Sequence, residues 1–261
     1  MTHWYLGTIG FSYKDWAGVF YPAGLAPRSY LTHYSQIFNA VELDSTFYGV
    51  PPAERVQQWA AATPAGFKFC AKTPRQITHE LSLVKATAPM LTFVDTISRL
   101  GEKLGVILIQ LPPSFSASQF TVLATFLKDL PTGLRYAVEF RHRSWYTTET
   151  AELLRAYQIG WTAIDYLDLP KEIHLTGDFL YLRWLGRHGR FERKDHEQLD
   201  VTPQLQGWWE QLQPYLDRVD TIYGFFNNDY AGHSPSTCNR FKAIAGLPLD
   251  RPELPQQDPL F

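Results

Sequence analysis

Cysteine is nearly missing from this chain. The two present, Cys70 and Cys238, lie far apart and in no metal-ligand or disulfide-framework spacing, which removes zinc modules and disulfide-stapled secreted domains from consideration. Long apolar runs are missing too. The longest, residues 105–111, falls far short of the roughly 20 residues that a bilayer span requires. The first dozen residues carry neither a basic n-region nor an apolar core, so no secretory signal is expected and a soluble, cytoplasmic protein is the default. Charge of one sign is not in excess: 24 Lys and Arg face 26 Asp and Glu, a net −2. Broad binding to duplex nucleic acid or an anionic membrane therefore has no global basis, and any such partner must be met by a local patch.

What is present is an alternation. Eight short β-type runs, at 4–10, 40–45, 67–72, 105–111, 135–141, 159–165, 179–185 and 221–227, are separated by amphipathic helical patterns. Leu31, Tyr34, Ile37 and Phe38 share one helix face behind Pro27. Leu91, Val94, Ile97, Leu100 and Leu104 mark another, and Leu205, Trp208, Leu212 and Tyr215 a later one. Eight β–α units predict a single (β/α)8 barrel of α/β class. An open doubly wound sheet would need a G-x-G-x-x-G turn after the first strand, and Gly7 and Gly10 do not supply it. The segment 166–177, with Pro170 inside it, is too short for a full sixth helix, so the sixth connection should be shortened. Residues 1–247 form the expected barrel. The Pro- and Gln-rich residues 248–261 should pack on it or trail from it as an extension.

Polarity rises toward the C-terminal end of nearly every strand, where barrels of this class carry their sites. Assigning the apolar parity of each strand to the helices sends Thr8, Gly10 and Ser12 to the lumen, with Glu42, Asp44, Cys70, Lys72, Gln110, Glu139, Arg141, Asp165, Arg183 and Asn227. Desolvated charges are costly unless paired or useful. The competing assignment is a charge-balanced plug that fixes barrel register. As a site, the ring offers Glu42 and Glu139 as an acid/base pair, if their environments separate their pKa values. Lys72 is a general acid or, if burial lowers its pKa, an amine nucleophile. Arg141 and Arg183 suit a carboxylate or phosphate. The flanking loops add Tyr13, Trp16, Phe47, Tyr48 and Trp145 as faces for a ring-containing ligand, and His79 and Asn228 as polar contacts. The segment from Arg183 to Lys194 is basic and forms a cationic rim. No histidines pair at metal-ligand spacing, so no cofactor is expected. A divalent ion on Glu42, Asp44, Glu139 and a loop histidine is the lesser alternative.

Several of these segments together resemble one family. Ile9-Gly10-Phe11-Ser12-Tyr13 with Trp16, Gly18, Phe20, Tyr21 and Pro22 is similar to the opening motif of the YecE-like family, domain of unknown function 72. Phe38-Asn39-Ala40-Val41-Glu42 with Thr46-Phe47-Tyr48 resembles its second motif. Phe67-Lys68-Phe69 with Lys72 and Ile77-Thr78-His79 resembles its third. Gln110-Leu111-Pro112-Pro113, Glu139-Phe140-Arg141 with Trp145, and Phe226-Asn227-Asn228 with Tyr230 follow in family order. The resemblance spans roughly residues 4 to 246 and implies a TIM-type barrel with no established activity. One departure stands out. Many members carry Arg-x-His-Gly at strand 7, where this chain has Arg183-Trp184-Leu185-Gly186, so no role of that histidine transfers.

The converging residues give the functional expectation: an enzyme performing acid/base chemistry on a small anionic, ring-containing ligand such as a sugar phosphate or nucleotide fragment. Its catalytic candidates are Glu42, Lys72 and Glu139. A non-catalytic binder of single-stranded nucleic acid or a phosphorylated ligand is the first alternative, and a metal-dependent phosphodiesterase or isomerase the second. An anion is expected between strands 1, 7 and 8, near Arg183 or the asparagines Asn227 and Asn228. The sequence leaves the oligomeric state open.

Overall fold

The computed structural model describes residues 2–249; most of the expected extension, from Asp250 onward, lies outside the described residues. Eight parallel strands close a barrel in chain order. They are β1 (His3–Ile9), β2 (Ala40–Leu43), β3 (Lys68–Lys72), β4 (Leu104–Gln110), β5 (Arg135–Glu139), β6 (Gly160–Asp165), β7 (Phe179–Trp184) and β8 (Thr221–Phe226). Pairing of β1 with β8, Gly7 opposite Phe225, shuts the ring. Each expected strand is present to within two residues at either end. The helices are α1 (Tyr30–Tyr34), α2 (Ala53–Ala61), α3 (Thr87–Ile97), α4 (Phe120–Lys128), α5 (Thr148–Ala156), α6 (Thr202–Leu212), α7 (Asn228–Ala231) and α8 (Ser234–Ile244).

Local sequence explains the ends. The Thr147 side chain caps α5 by accepting from the Thr150 amide, and Pro203 and Pro235 open α6 and α8, where a missing N–H costs nothing. In α3 the buried face is Met90, Phe93, Val94 and Ile97. Leu91, expected on that face, is 46% exposed. Among the described residues no α-helix joins β6 to β7, as the short, Pro-interrupted connection requires.

The core has two layers. Outward strand residues such as Leu6, Val41, Phe69 and Val138 pack against the helices. Inward ones, including Ile9, Cys70, Leu108, Ile164, Tyr181 and Phe225, fill the lumen. This fixes two parities that the polarity rule inverts. In β1, Ile9 rather than Thr8 faces the lumen. The Tyr34 hydroxyl of α1 wedges between β1 and β2, accepts from the Thr8 amide at 2.8 Å and donates to the Ala40 carbonyl at 3.0 Å. Thr8 Oγ1 lies 2.9 Å from the same hydroxyl, so this polar side chain is satisfied on the helix side. Gly7 makes the wedge feasible, because a Cβ there would stand 1.9 Å from the Ala40 oxygen. In β6, Ile164 takes the lumen and Asp165 points outward. Trp208 Nε1 and Tyr230 Oη donate to Asp165 at 2.9 and 2.8 Å, and Lys171 Nζ lies 2.6 Å away.

Candidate functional site

The lumen near the C-terminal strand ends is floored by an ionic cluster. Arg183 reaches across from β7 to carboxylates on β2 and β5, placing Nη2 2.7 Å from Glu42 Oε1 and Nη1 2.5 Å from Glu139 Oε2. The remaining oxygens are also engaged. Tyr181 Oη donates to Glu42 Oε2 at 2.8 Å, and Arg141 Nε donates to Glu139 Oε1. Glu42 and Glu139 are both fully buried. Strand geometry dictates the convergence, since Glu42, Glu139, Tyr181 and Arg183 all fall on inward parity at neighbouring heights.

Burial and partners drive the two carboxyls apart. Burial pushes Glu42 up, and Arg183 only partly offsets it. Burial opposes charge on Glu139 as well, but two guanidinium groups, Arg141 first and Arg183 second, hold its carboxyl at about 2. Arg183 is pushed up despite burial, by Glu139 and Glu42. Glu42 is thus pushed up and Glu139 held down, and both form part of the floor, engaged by Arg183, Tyr181 and Arg141 rather than open to the cleft.

Above this cluster opens a cleft of about 330 Å³, lined among others by Tyr13, Asp44, Phe47, Tyr48, Lys72 and Arg141. Lys72 Nζ sits 3.8 Å over the centroid of the Phe47 ring. Among the described residues no carboxylate lies within ion-pairing distance of it. Burial, with the charge of Arg183 second, lowers its pKa to about 8. Arg141 stacks on Tyr166 at 4.0 Å while Glu139 holds its Nε, and its Nη nitrogens have no hydrogen-bond partner among the described residues. Burial raises Asp44, against the pull of Lys72.

The far wall is Asn227, Asp229 and Lys194. Lys194 Nζ lies 3.7 Å from Asp229 Oδ1, and the Gly189 amide donates to Oδ2 at 3.2 Å. The turn after β7 touches the backbone of α7 so closely that a Cβ on Gly186 would meet the Asp229 oxygen at 2.0 Å. Gly186 also sits at φ +67°, so it has to be glycine.

The fold thus gathers Tyr13, Asp44, Phe47, Tyr48, Lys72, Arg141, Arg183 and Asn227 on one cleft, with Glu42 and Glu139 directly below Arg183. Others are placed elsewhere. Ser12 lines an adjoining groove with Arg55 and Trp59, which shares only Tyr13 and Asp44 with the cleft. Trp16 is fully buried and donates to Asn228 Oδ1, which also accepts from the Ser234 amide and hydroxyl, so Asn228 bolts the β8 exit rather than facing the mouth. Trp145 stacks on Phe140 at 4.8 Å and donates to the Phe115 carbonyl. Gln110 is buried and donates to the Leu111 carbonyl. His79 packs edge-on against Phe47 behind the cleft, and burial, then Lys72, lowers its pKa to about 4. Tyr181, Tyr166 and Asp229 belong to the site without having been singled out, and Lys194 of the expected cationic rim joins them. Tyr181 shares the inward parity of Arg183, and that spacing was the signal to use. Among the described residues, no three of His, Cys, Asp and Glu gather as a metal site, and no helix is long and apolar enough to cross a membrane.

Known proteins match this chain along most of its length. A family model described as "Protein of unknown function DUF72" covers residues 5–259. UPF0759 protein YunF of Bacillus subtilis (strain 168) is 31% identical over 257 residues, covering 87% of this chain and 89% of that protein. UPF0759 protein YecE of Escherichia coli (strain K12) is 31% identical over 142 residues, or 54% of this chain. The chain spans half the length of that relative. The crystal structure of a DUF72 family protein from Thermotoga maritima superposes with a TM-score of 0.78 at 32% identity, covering 94% of this chain and 99% of that one. A DUF72 family protein from Enterococcus faecalis shares the fold, with a TM-score of 0.78 at 20% identity. A barrel closed in chain order, a family model over nearly its whole length and a relative matched over most of both chains agree: the chain belongs to the DUF72 family.

Proposed function

We propose that this protein is an enzyme that takes a small anionic, ring-containing ligand into the mouth cleft and acts on it by acid/base chemistry. Lys72 and Asp44 handle protons, and Arg141 anchors the anion. One observation carries the reading: Lys72 and Arg141 both face the cleft with N–H donors that no protein acceptor uses among the described residues. A purely structural plug would pair its cations, as it does Arg183. Tyr48, 80% exposed at the rim, supplies a face for a ring. The chemistry moves up one layer from the carboxylate pair expected from sequence. Glu139, held at about 2, has no proton to give near neutral pH. In this reading Glu139 aims Arg141, and Glu42 and Glu139 together fix Arg183.

Thermal-shift screening against sugar phosphates, nucleotides and inorganic phosphate tests the proposal. A ligand at 100 times its Kd adds about 2.7 kcal/mol, which for a chain of this size raises Tm by roughly 5–11 °C. Arg141→Met should abolish the shift. Absence of any shift, or a shift indifferent to Arg141→Met and Lys72→Met, overturns the reading. Arg187 and Arg190, both exposed beside the mouth, favour single-stranded nucleic acid as the second reading. Its signature is an affinity that falls steeply with salt and with charge reversal at those two arginines.

A further inference from the structure

We infer that Lys72 is an imine-forming nucleophile, and that the ligand of the cleft is a carbonyl compound bearing a carboxylate or phosphate that Arg141 holds. This rests on the anionic-ligand reading above and goes beyond it, because acid/base chemistry alone needs no covalent bond to the protein.

The argument begins with what surrounds the amine. A lysine placed among carboxylates normally stays an ammonium ion, and an ammonium ion has no lone pair with which to attack. Here the two luminal carboxylates are spent, and the third that feels Lys72, Asp44, is pushed toward its neutral form by burial. Glu139 gives one oxygen to Arg141 and one to Arg183, and Glu42 gives one to Arg183 and one to Tyr181. All four acceptor oxygens are occupied, and the permanent positive charges they hold remain beside Lys72. A desolvated lysine next to another cation is the arrangement that frees an amine. Its pKa of about 8 agrees. Far more of Lys72 is therefore unprotonated near neutral pH than of an ordinary lysine near 10.4. Lys72 ends β3 with its Nζ seated 3.8 Å over Phe47 on the wall of an open cleft, so the amine is positioned and reachable.

The other groups in the cleft complete the step. The Lys72 nitrogen adds to the carbonyl carbon, the C=O π pair moves to oxygen, and that oxygen is protonated to give a carbinolamine. Loss of one proton from nitrogen, protonation of the hydroxyl and its departure as water leave the protonated imine, which gives up the second nitrogen proton to leave the C=N bond, with no oxidant or reductant consumed. Asp44, which lines the same cleft and which burial keeps more protonated than an ordinary aspartate, delivers and recovers these protons. Arg141, immobilised by Glu139 on Nε and by Tyr166 on its face, offers its Nη edge to the anionic group of the same molecule.

The test uses glyoxylate, which joins an aldehyde to a carboxylate, with cyanoborohydride on the full chain at pH 7.5. Peptide mass spectrometry follows early labelling, beside a thermal-shift measurement with glyoxylate and inorganic phosphate. Lys72 should be reductively alkylated at least tenfold faster than Lys85 and Lys128, with a half-maximal rate near pH 8. Inorganic phosphate should slow it and Arg141→Met should remove its advantage. Lys72→Arg should lose that one adduct while keeping the far-ultraviolet spectrum of the parent. Anion-induced stabilisation without preferential labelling of Lys72 overturns the imine inference and leaves the anion-binding reading standing. Neither stabilisation nor labelling overturns both. Preferential labelling that formaldehyde reproduces and Arg141→Met does not affect overturns the anionic carbonyl ligand. The pH profile is read on the unmutated chain, so the test survives even if a variant fails to fold.

Discussion

Glu139→Gln should destabilise the barrel by about 3 kcal/mol at pH 7. The magnitude follows from two independent routes. Glu139 is completely buried and its carboxyl lies at about 2 instead of the ordinary 4.5, and a displacement of that size corresponds to about 3 kcal/mol of preference for the charged form. Removing one partner of a buried ion pair typically costs about 3–5 kcal/mol, and glutamine keeps one acceptor oxygen, which favours the lower end. For a chain of this size the melting temperature should fall by roughly 6–12 °C. The pH dependence has a fixed sign. A depressed folded-state pKa means that the contribution is complete above the unfolded value and is lost as pH falls from about 4.5 through about 2. Urea denaturation of the parent chain should therefore show stability dropping through that window, with a flatter curve for Glu139→Gln. Glu42→Gln should be the milder change, because burial already disfavours charge on Glu42. A Glu139→Gln protein within 1 kcal/mol of the parent at pH 7, or one with the same acid dependence, would refute the reasoning that this carboxylate holds the two arginines.

Three further outcomes follow from the geometry. Tyr34→Phe removes the hydroxyl that joins the Thr8 amide to the Ala40 carbonyl and should cost about 1–3 kcal/mol in urea denaturation, with mouth-ligand affinity unchanged. Gly7→Ala puts a methyl 1.9 Å from the Ala40 oxygen. Separating β1 from β2 to admit it should abolish the cooperative thermal transition, and a well-folded Gly7→Ala protein would count against the close approach. Asp165→Asn should lower stability by about 1–3 kcal/mol, because Trp208, Tyr230 and Lys171 all bind this carboxylate. It should leave anion binding in the cleft intact, as measured by thermal shift, whereas a luminal Asp165 would alter it.

The eight-fold strand–helix alternation was legible because each strand is bounded by turn residues and each helix repeats its apolar face, both local properties of sequence. So were the positions of Glu42, Lys72, Glu139, Arg141 and Arg183, since a charge inside an apolar strand turns to the lumen wherever the covering helices offer it no partner. Thr8 and Asp165 escaped the same rule for one physical reason. The rule takes a polar strand residue to be luminal, yet a single hydroxyl or indole on the covering layer satisfies it equally well, and Tyr34, Trp208 and Tyr230 do so from positions remote in sequence. Trp16 and Trp145 were read as ligand faces because they follow strand ends. Their indole N–H groups instead meet Asn228 Oδ1 and the Phe115 carbonyl in the packed shell. Which acceptor an indole finds is a tertiary fact, and no local pattern records it.

Arg183 also decides how the barrel comes apart. It stands in the second half of the chain and grips one carboxylate from each half, Glu42 on β2 and Glu139 on β5. The first of these ties closes a loop of 141 residues, so it forms late and only once the ring is nearly shut. Each half alone would carry a piece of the cluster without its complement: β1–β4 a carboxylate lacking its guanidinium, β5–β8 a guanidinium short of one carboxylate. A barrel assembled from two self-sufficient halves would balance charge within each half. This one balances it only across the seam, which makes the closed ring the smallest unit in which its interior is electrically complete.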